Sequence, residues 1–200
     1  MTISTYTELQ TTVIEWANRG DAKYQARVPD FIRLGEGRIF RRLRVSAMIK
    51  AVNLASVIGT REVALPADWA EFRDVRGYDG APLSVATADE IYSLGQRSDD
   101  SIFAIEGGKL ILGDMPSTVY NLPVRYYAKP DPLATTPTNW LLSSAPAAYL
   151  YAALIEGAMY VKNPDDAGRW GTLLDRVIGE LQDEDRRARS SGGPLRVRPR

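Results

Sequence analysis

Residues 147–161 read AAYLYAALIEGAMYV, and this run constrains the fold more than any other stretch. At helical spacing its apolar residues, among them Tyr149, Leu150, Ala153, Leu154, Ala158 and Tyr160, cover nearly every side. A helix that is apolar all round has to be buried among other elements. The rest of the chain must therefore supply a shell. At 200 residues, 44% of them hydrophobic, it has enough material for one core or one core with an insertion.

Both chain ends supply helices for that shell. Thr5 and Glu8 have the spacing of a capping box, and Leu9, Val13, Trp16 and Ala17 follow at helical period, with Gly20 as the expected stop. A second helix is expected from Pro29, whose fixed φ and missing N–H suit a first helical position. Its apolar face is Phe31, Ile32, Gly35, Ile39 and Leu43, while Arg33, Arg41 and Arg44 lie on the other side. Ser144, Ala145 and Pro146 read as the N-cap and first turn of the central helix. Asn163 then caps a last helix whose first turn carries Asp165 and Asp166, both favourable at a helix N-terminus. Trp170, Leu174, Val177, Ile178 and Leu181 form its apolar face, and residues 190–194 end it.

From about Ala47 to Lys129 the period changes to that of strands. Residues 62–65 and 72–75 are short β-prone runs. Residues 102–105 and 109–112 flank Gly107-Gly108 as a hairpin. Residues 122–128 form one more strand, which Pro123 pushes toward a sheet edge or a strand start. Residues 87–90 read as the start of a short helix running to Leu94. Pro130 begins a Pro- and Thr-rich connector. The expected architecture is α+β, mainly α. An antiparallel helical bundle forms from residues 1–46 and 139–189, a β-rich element with its connector fills 47–138, and 190–200 is an extended arm.

Composition narrows function by exclusion. There is no cysteine and no histidine, which removes disulfides, thiolate chemistry, the commonest general base and the commonest metal ligand. Basic and acidic residues balance at 25 each, so net charge draws the chain to neither nucleic acid nor membrane. No signal-peptide pattern opens the sequence and no stretch is long and apolar enough for a membrane span. The expectation is a soluble protein made where it is used. Charge is uneven only at the end, where Arg186, Arg187, Arg189, Arg196, Arg198 and Arg200 follow Asp183, Glu184 and Asp185.

Several blocks, in order along nearly the whole chain, carry a resemblance. They are residues 28–45 (VPDFIRLGEGRIFRRLRV), 65–69 (LPADW), 126–130 (YYAKP), 138–142 (TNWLL), 147–161, 186–189 (RRAR) and the GPLR of 193–196. Together they resemble the head–tail adaptor, or connector, proteins of tailed bacteriophages, especially the short-tailed type. The resemblance implies a helical bundle with an inserted β-element. It implies a non-enzymatic virion protein, made in the host cytoplasm and placed at the head–tail junction. There it would form a ring, often dodecameric, beneath the portal, extend the channel for double-stranded DNA, and offer a platform for tail or nozzle proteins. It implies no cofactor and no metal. In related proteins a C-terminal segment docks onto the portal, and the matching positions are residues 190–200.

That arm alternates apolar and basic residues, with Leu195, Arg196, Val197, Arg198 and Arg200 as its candidate docking residues. Such a segment can add a strand to a partner or lie in its groove, with arginines on carboxylates; alone it also reads as a frayed tail. The arginines of the second helix, Arg33, Arg38, Arg41, Arg42 and Arg44, with Arg186, Arg187 and Arg189, are candidates for a subunit interface or a channel wall. A solvated helix face is the plainer reading. Of the functional roles, pairing with a neighbour's acids near Asp183 to Asp185 is preferred, because a channel through which DNA slides gains little from strong binding. Trp16, Trp69, Trp140, Trp170, Tyr126, Tyr127, Tyr149 and Tyr151 are expected in the core.

The alternatives are another ring-forming virion protein, such as a tail-tube or tail-completion protein, and a nucleic-acid-binding module using the basic tail. An enzyme would have to work through acidic pairs such as Asp89-Glu90, Asp99-Asp100 or Asp165-Asp166. Adjacent carboxylates do not face each other across a cleft, and no Gly-x-Ser-x-Gly or Ser-x-x-Lys pattern occurs.

Overall fold

A computed structural model describes residues 3–95, 97–191 and 193. The chain divides into two compact units, Met1–Ser46 with Pro130–Arg200, and Ala47–Lys129. Residues 130–138 thus belong with the helices. Among the described residues the fold is α+β, with seven helices and two small sheets.

In the first unit α1 (Tyr6–Trp16) begins at Thr5, and both halves of its capping box form. It stops at Trp16, short of Gly20: Asn18, with φ of 50°, already turns the chain in the left-handed region that Asn tolerates better than most residues. A short α2 (Ala22–Gln25), capped by Asp21, was not legible in the sequence because one turn has no period to read. Helix α3 (Val28–Arg42) starts one residue before Pro29 and buries Phe31, Ile32, Gly35 and Ile39, with Leu43 just past its end, as the pattern predicts.

Further along, α5 (Trp140–Ser144) is capped by Asn139, so Ser144 closes this helix instead of capping the next. Helix α6 (Pro146–Tyr160) follows after Ala145 and is the buried centre; Ala148, Tyr149, Leu150, Ala152, Ala153, Leu154, Ile155 and Ala158 are all buried. It packs on α1, α3, α5 and the last helix, α7 (Pro164–Ser190). Each large aliphatic side chain buried there contributes about 1.5–3 kcal/mol relative to exposure.

Small residues set how closely these helices approach. A Cβ at Gly35 would lie 3.0 Å from the Cβ and carbonyl carbon of Ala152. At Gly157 it would collide with the Tyr24 hydroxyl. The connector is tied down by polar bonds: Leu133 N–H donates to the buried Glu36 carboxylate at 2.8 Å, and Tyr6 N–H donates to the Pro137 carbonyl at 2.8 Å.

The second unit contains two sheets. Strands β1 (Ile49–Ala55), β3 (Trp69–Val75) and β7 (Asn121–Ala128) form one, antiparallel, in the order β1-β7-β3. Strands β2 (Glu62–Ala64), β4 (Ser84–Val85), β5 (Ile102–Glu106) and β6 (Lys109–Leu112) form the other, in the order β2-β6-β5-β4. Val63, Phe103, Leu110 and Leu112 from one sheet and Val75, Leu122, Val124 and Tyr126 from the other share a core. Helix α4 (Ala88–Ser93) covers a smaller cluster of Ile91, Ala104 and Ile111.

The predicted hairpin is present, with Gly107 and Gly108 at φ of 56° and 74°, the conformation a two-residue turn of this hand requires. Pro123 sits near the start of the central strand and not on an edge strand. It is tolerated there because the β3 ladder reaches only Val75 opposite Val124, and the Pro123 carbonyl still accepts the Arg76 N–H.

Candidate interaction surfaces

The arginines of α3 do not form one free stripe. Arg38 places Nε and Nη2 at 3.0 and 2.5 Å from Glu156 Oε1 on α6. Arg42 Nη1 is 2.5 Å from Asp175 on α7. Arg44 donates to the carbonyls of Phe40 and Leu43, which the helix end leaves without intrahelical partners. Arg33 reaches Asp30 at 3.8 Å, and Arg41 is exposed with no ion pair among the described residues. Half-exposed pairs of this kind contribute about 0–1 kcal/mol each, so they orient neighbouring helices more than they stabilise them.

Two of the three acids expected to receive a neighbour's arginines, Asp183 and Asp185, have partners inside the chain. Asp185 on α7 is buried, accepts the Ser46 N–H at 2.7 Å and the Ser46 hydroxyl, and pairs with Arg189 at 3.0 Å. Arg186 meets Asp183 at 3.3 Å, and Arg187 donates to the Asp183 carbonyl at 3.3 Å. Gln182 donates to the Arg42 carbonyl. The last turns of α7 are thereby fixed against the exit of α3. The arm residues Leu195, Arg196, Val197, Arg198 and Arg200 lie outside the described residues.

Among the aromatics, Tyr126 and Tyr149 are core; burial raises the Tyr126 hydroxyl to about 12, helped by its bond to Asp68. Trp69, Trp140, Trp170, Tyr127 and Tyr151 are half-buried. Trp16 departs from the expectation at 50% exposed: it leans on Tyr151 and Trp170, whose rings stack 5.9 Å apart, and its outer half faces solvent.

Two surfaces of the β-rich unit escaped the sequence reading. The first is a loop tip. Residues 51–60 and 115–124 contain no charged side chain, and they run side by side through Ser56 N–H to the Tyr120 carbonyl and Gly59 N–H to the Pro116 carbonyl. Val57, Ile58, Met115 and Val119 stand exposed there, Ile58 and Val119 each by 60%. The second is a groove of about 310 Å³ between β3 and the β4–β5 side of the other sheet. Trp69, Phe72, Leu83, Val85, Phe103 and Ile105 give it an apolar lining. Val85 is 78% exposed, and the buried Trp69 Nε1–H has no acceptor among the described residues. The paired uncharged stretches were the available signal for the tip; the groove joins residues far apart in sequence and gave none.

The acidic pairs have local roles. Asp89 and Glu90 sit in the first turn of α4, Asp165 and Asp166 in that of α7, and Asp99 accepts from Ser101, whose bonds hold its carboxyl below the usual range. Among the described residues no three acidic side chains converge as metal ligands, and no helix is long and apolar enough to cross a membrane. Among the described residues the one buried arginine is Arg61; its guanidinium is bound by backbone carbonyls of Leu112, Gly113, Gly95 and Arg97 and braces their loops. A model of the SU10 adaptor protein family matches residues 4–198, and the chain belongs to that family. It is a structural adaptor protein of a bacteriophage virion, from a family of tail-assembly proteins and not of enzymes. No curated protein matches it.

Proposed function

We propose that the chain is the head–tail adaptor of a short-tailed phage, a ring of copies beneath the portal that extends the DNA channel and receives the first tail or nozzle protein. The family match over 4–198 carries this reading, because it spans both units and all but the last two residues of the arm. The helical unit, read as an antiparallel bundle closed by both chain ends, is the scaffold. The arm, through Leu195, Arg196, Val197, Arg198 and Arg200, binds the portal, and its ordering entropy is met on docking. Arg33 and Arg41, the α3 arginines least engaged with neighbouring helices, are the ones available to a neighbouring copy or to passing phosphates. DNA meets the ring without sequence preference.

The experiment is to mix the purified protein with portal rings and image the mixture by electron microscopy. A second ring stacked under the portal is the expected result. Absence of association, with the free protein binding duplex DNA in a steeply salt-dependent way, would replace the adaptor reading with the nucleic-acid one.

A further inference from the structure

The β-rich unit carries an uncharged projection and an apolar groove at different places; the floor of the groove is the edge of the unit's core, and its Val85 and Ile105 stand exposed. Four large apolar side chains at one loop tip, with no charge in either contributing stretch, form the kind of exposed patch that marks a contact site. The groove has the complementary character: aromatic and aliphatic walls, a rim of Glu71, Arg73 and Asp74, and room for a few aliphatic side chains. We infer that the tip of one copy, led by Val57 and Ile58, seats in the β3–β4 groove of the next copy. The contact rests on the adaptor reading only for the closure of the ring.

Three observations favour this occupant. Val85 and Ile105 on the groove stand 78% and 42% exposed, apolar surface that a second apolar surface would cover. Strand β3 carries two register shifts, between Trp69 and Glu71 and between Phe72 and Asp74. Bulges of that kind blunt an edge against a regular added strand, so the groove is suited to inserted side chains more than to an extended arm such as residues 195–198. Thirdly, two different patches on one chain make a head-to-tail contact, the type that closes into rings; a self-complementary patch would stop at a dimer.

Size sets the behaviour. Four partly exposed side chains fall well short of the roughly 800 Å² per partner of a standard stable interface. A single tip-to-groove contact is therefore weak, and closing a ring, in which every copy gives one and receives one, is what makes it persist. Free protein should associate only at high concentration.

The native chain has no cysteine, so pairs of single-cysteine variants can be trapped by oxidation without background. Ile58→Cys and Val85→Cys are both at exposed positions and leave the core intact. Mixed at high concentration, they should give about a tenfold excess of disulfide heterodimer over the control mixture of Ile58→Cys with Tyr92→Cys, the ratio a modest docking preference sets. The double variant Ile58→Cys/Val85→Cys should give a ladder of higher species. Adding Ile58→Asp to a Val57→Cys chain should abolish the cross-link to Val85→Cys while circular dichroism stays unchanged. A heterodimer yield equal to the control, or dominant Ile58→Cys homodimers, overturns the inference. So does preferential capture of Val85→Cys by a Val197→Cys arm. If cross-linking fails while the wild-type chain still decorates portal rings, the inference falls and the adaptor reading stands.

Discussion

Two glycines on α3, two residues apart, should respond to the same substitution with opposite sign. Gly35 faces α6, where an added Cβ would meet the Ala152 carbonyl carbon and Cβ at 3.0 Å and the Ala153 nitrogen at 3.1 Å. Carbon contacts are comfortable at about 3.5–4.0 Å, and all three atoms belong to the backbone or Cβ of a helix that is itself packed on several sides. None can swing away. Gly37 has only the far end of the Arg41 side chain within reach, at 3.8 Å. Replacing either glycine by alanine gains about 1 kcal/mol of helix propensity. At Gly37 nothing opposes that gain, so Gly37→Ala should stabilise by up to about 1 kcal/mol, or roughly 2–4 °C in Tm for a chain of this size. At Gly35 overpacking costs about 1–3 kcal/mol and should outweigh propensity, leaving Gly35→Ala neutral to about 2 kcal/mol less stable. Urea unfolding followed by circular dichroism at the helical band reports chiefly on the unit concerned. If Gly35→Ala stabilises as much as Gly37→Ala, the close approach of α3 and α6 is wrong.

Other expectations follow from single contacts. Glu36 is raised from the usual carboxyl range, by burial first, with the Leu133 N–H opposing. The folded state therefore holds the proton more tightly than the unfolded one, and the contribution of Glu36 to stability falls as pH rises from the ordinary carboxyl range through the raised value. Glu36→Gln should match wild type at low pH and gain on it toward neutrality; a pH-independent difference in denaturation midpoint would contradict this. Thr5→Ala removes the cap of α1 and should cost about 1 kcal/mol by the same urea assay, whereas a change within error would mean the capping box contributes nothing. Deleting residues 190–200 should leave the circular dichroism spectrum and melting nearly unchanged and weaken portal decoration in electron micrographs; undiminished decoration refutes the docking role of the arm.

Elements with a period or a cap were legible in the sequence. The Thr5–Glu8 box, the buried face of α3, the all-round apolarity of α6, the Asn163 cap and the Gly107-Gly108 turn each rest on contacts within a few residues, and each is found where the pattern puts it. Short pieces were not legible. Helices α2 and α5 and strand β4 are too brief to show a period, and Ser144 looked like a cap because the helix it ends was invisible. Pro123 pointed to a sheet edge or a strand start and lies near the start of the central strand; that the centre of a sheet tolerates it depends on where the neighbouring ladder stops, a fact written in β3 and not in β7.

The surfaces were harder to read than the elements, for a physical reason. An arginine at helical spacing looks the same whether it faces a neighbour, a phosphate or a glutamate of its own chain. Arg38 and Arg42 turn out to brace α3 against Glu156 and Asp175, more than a hundred residues away, and Asp185 serves Ser46 over a similar separation. Several charges thus serve internal geometry. Apolar surface stands exposed at the loop tip and the groove of the β-rich unit. An assembly built on it gains little from any one contact and much from closure, so copies should stay apart in dilute solution and commit together once a template gathers them. On the head–tail adaptor reading proposed above that order of events is useful, because a ring that closed early would have no portal beneath which to form.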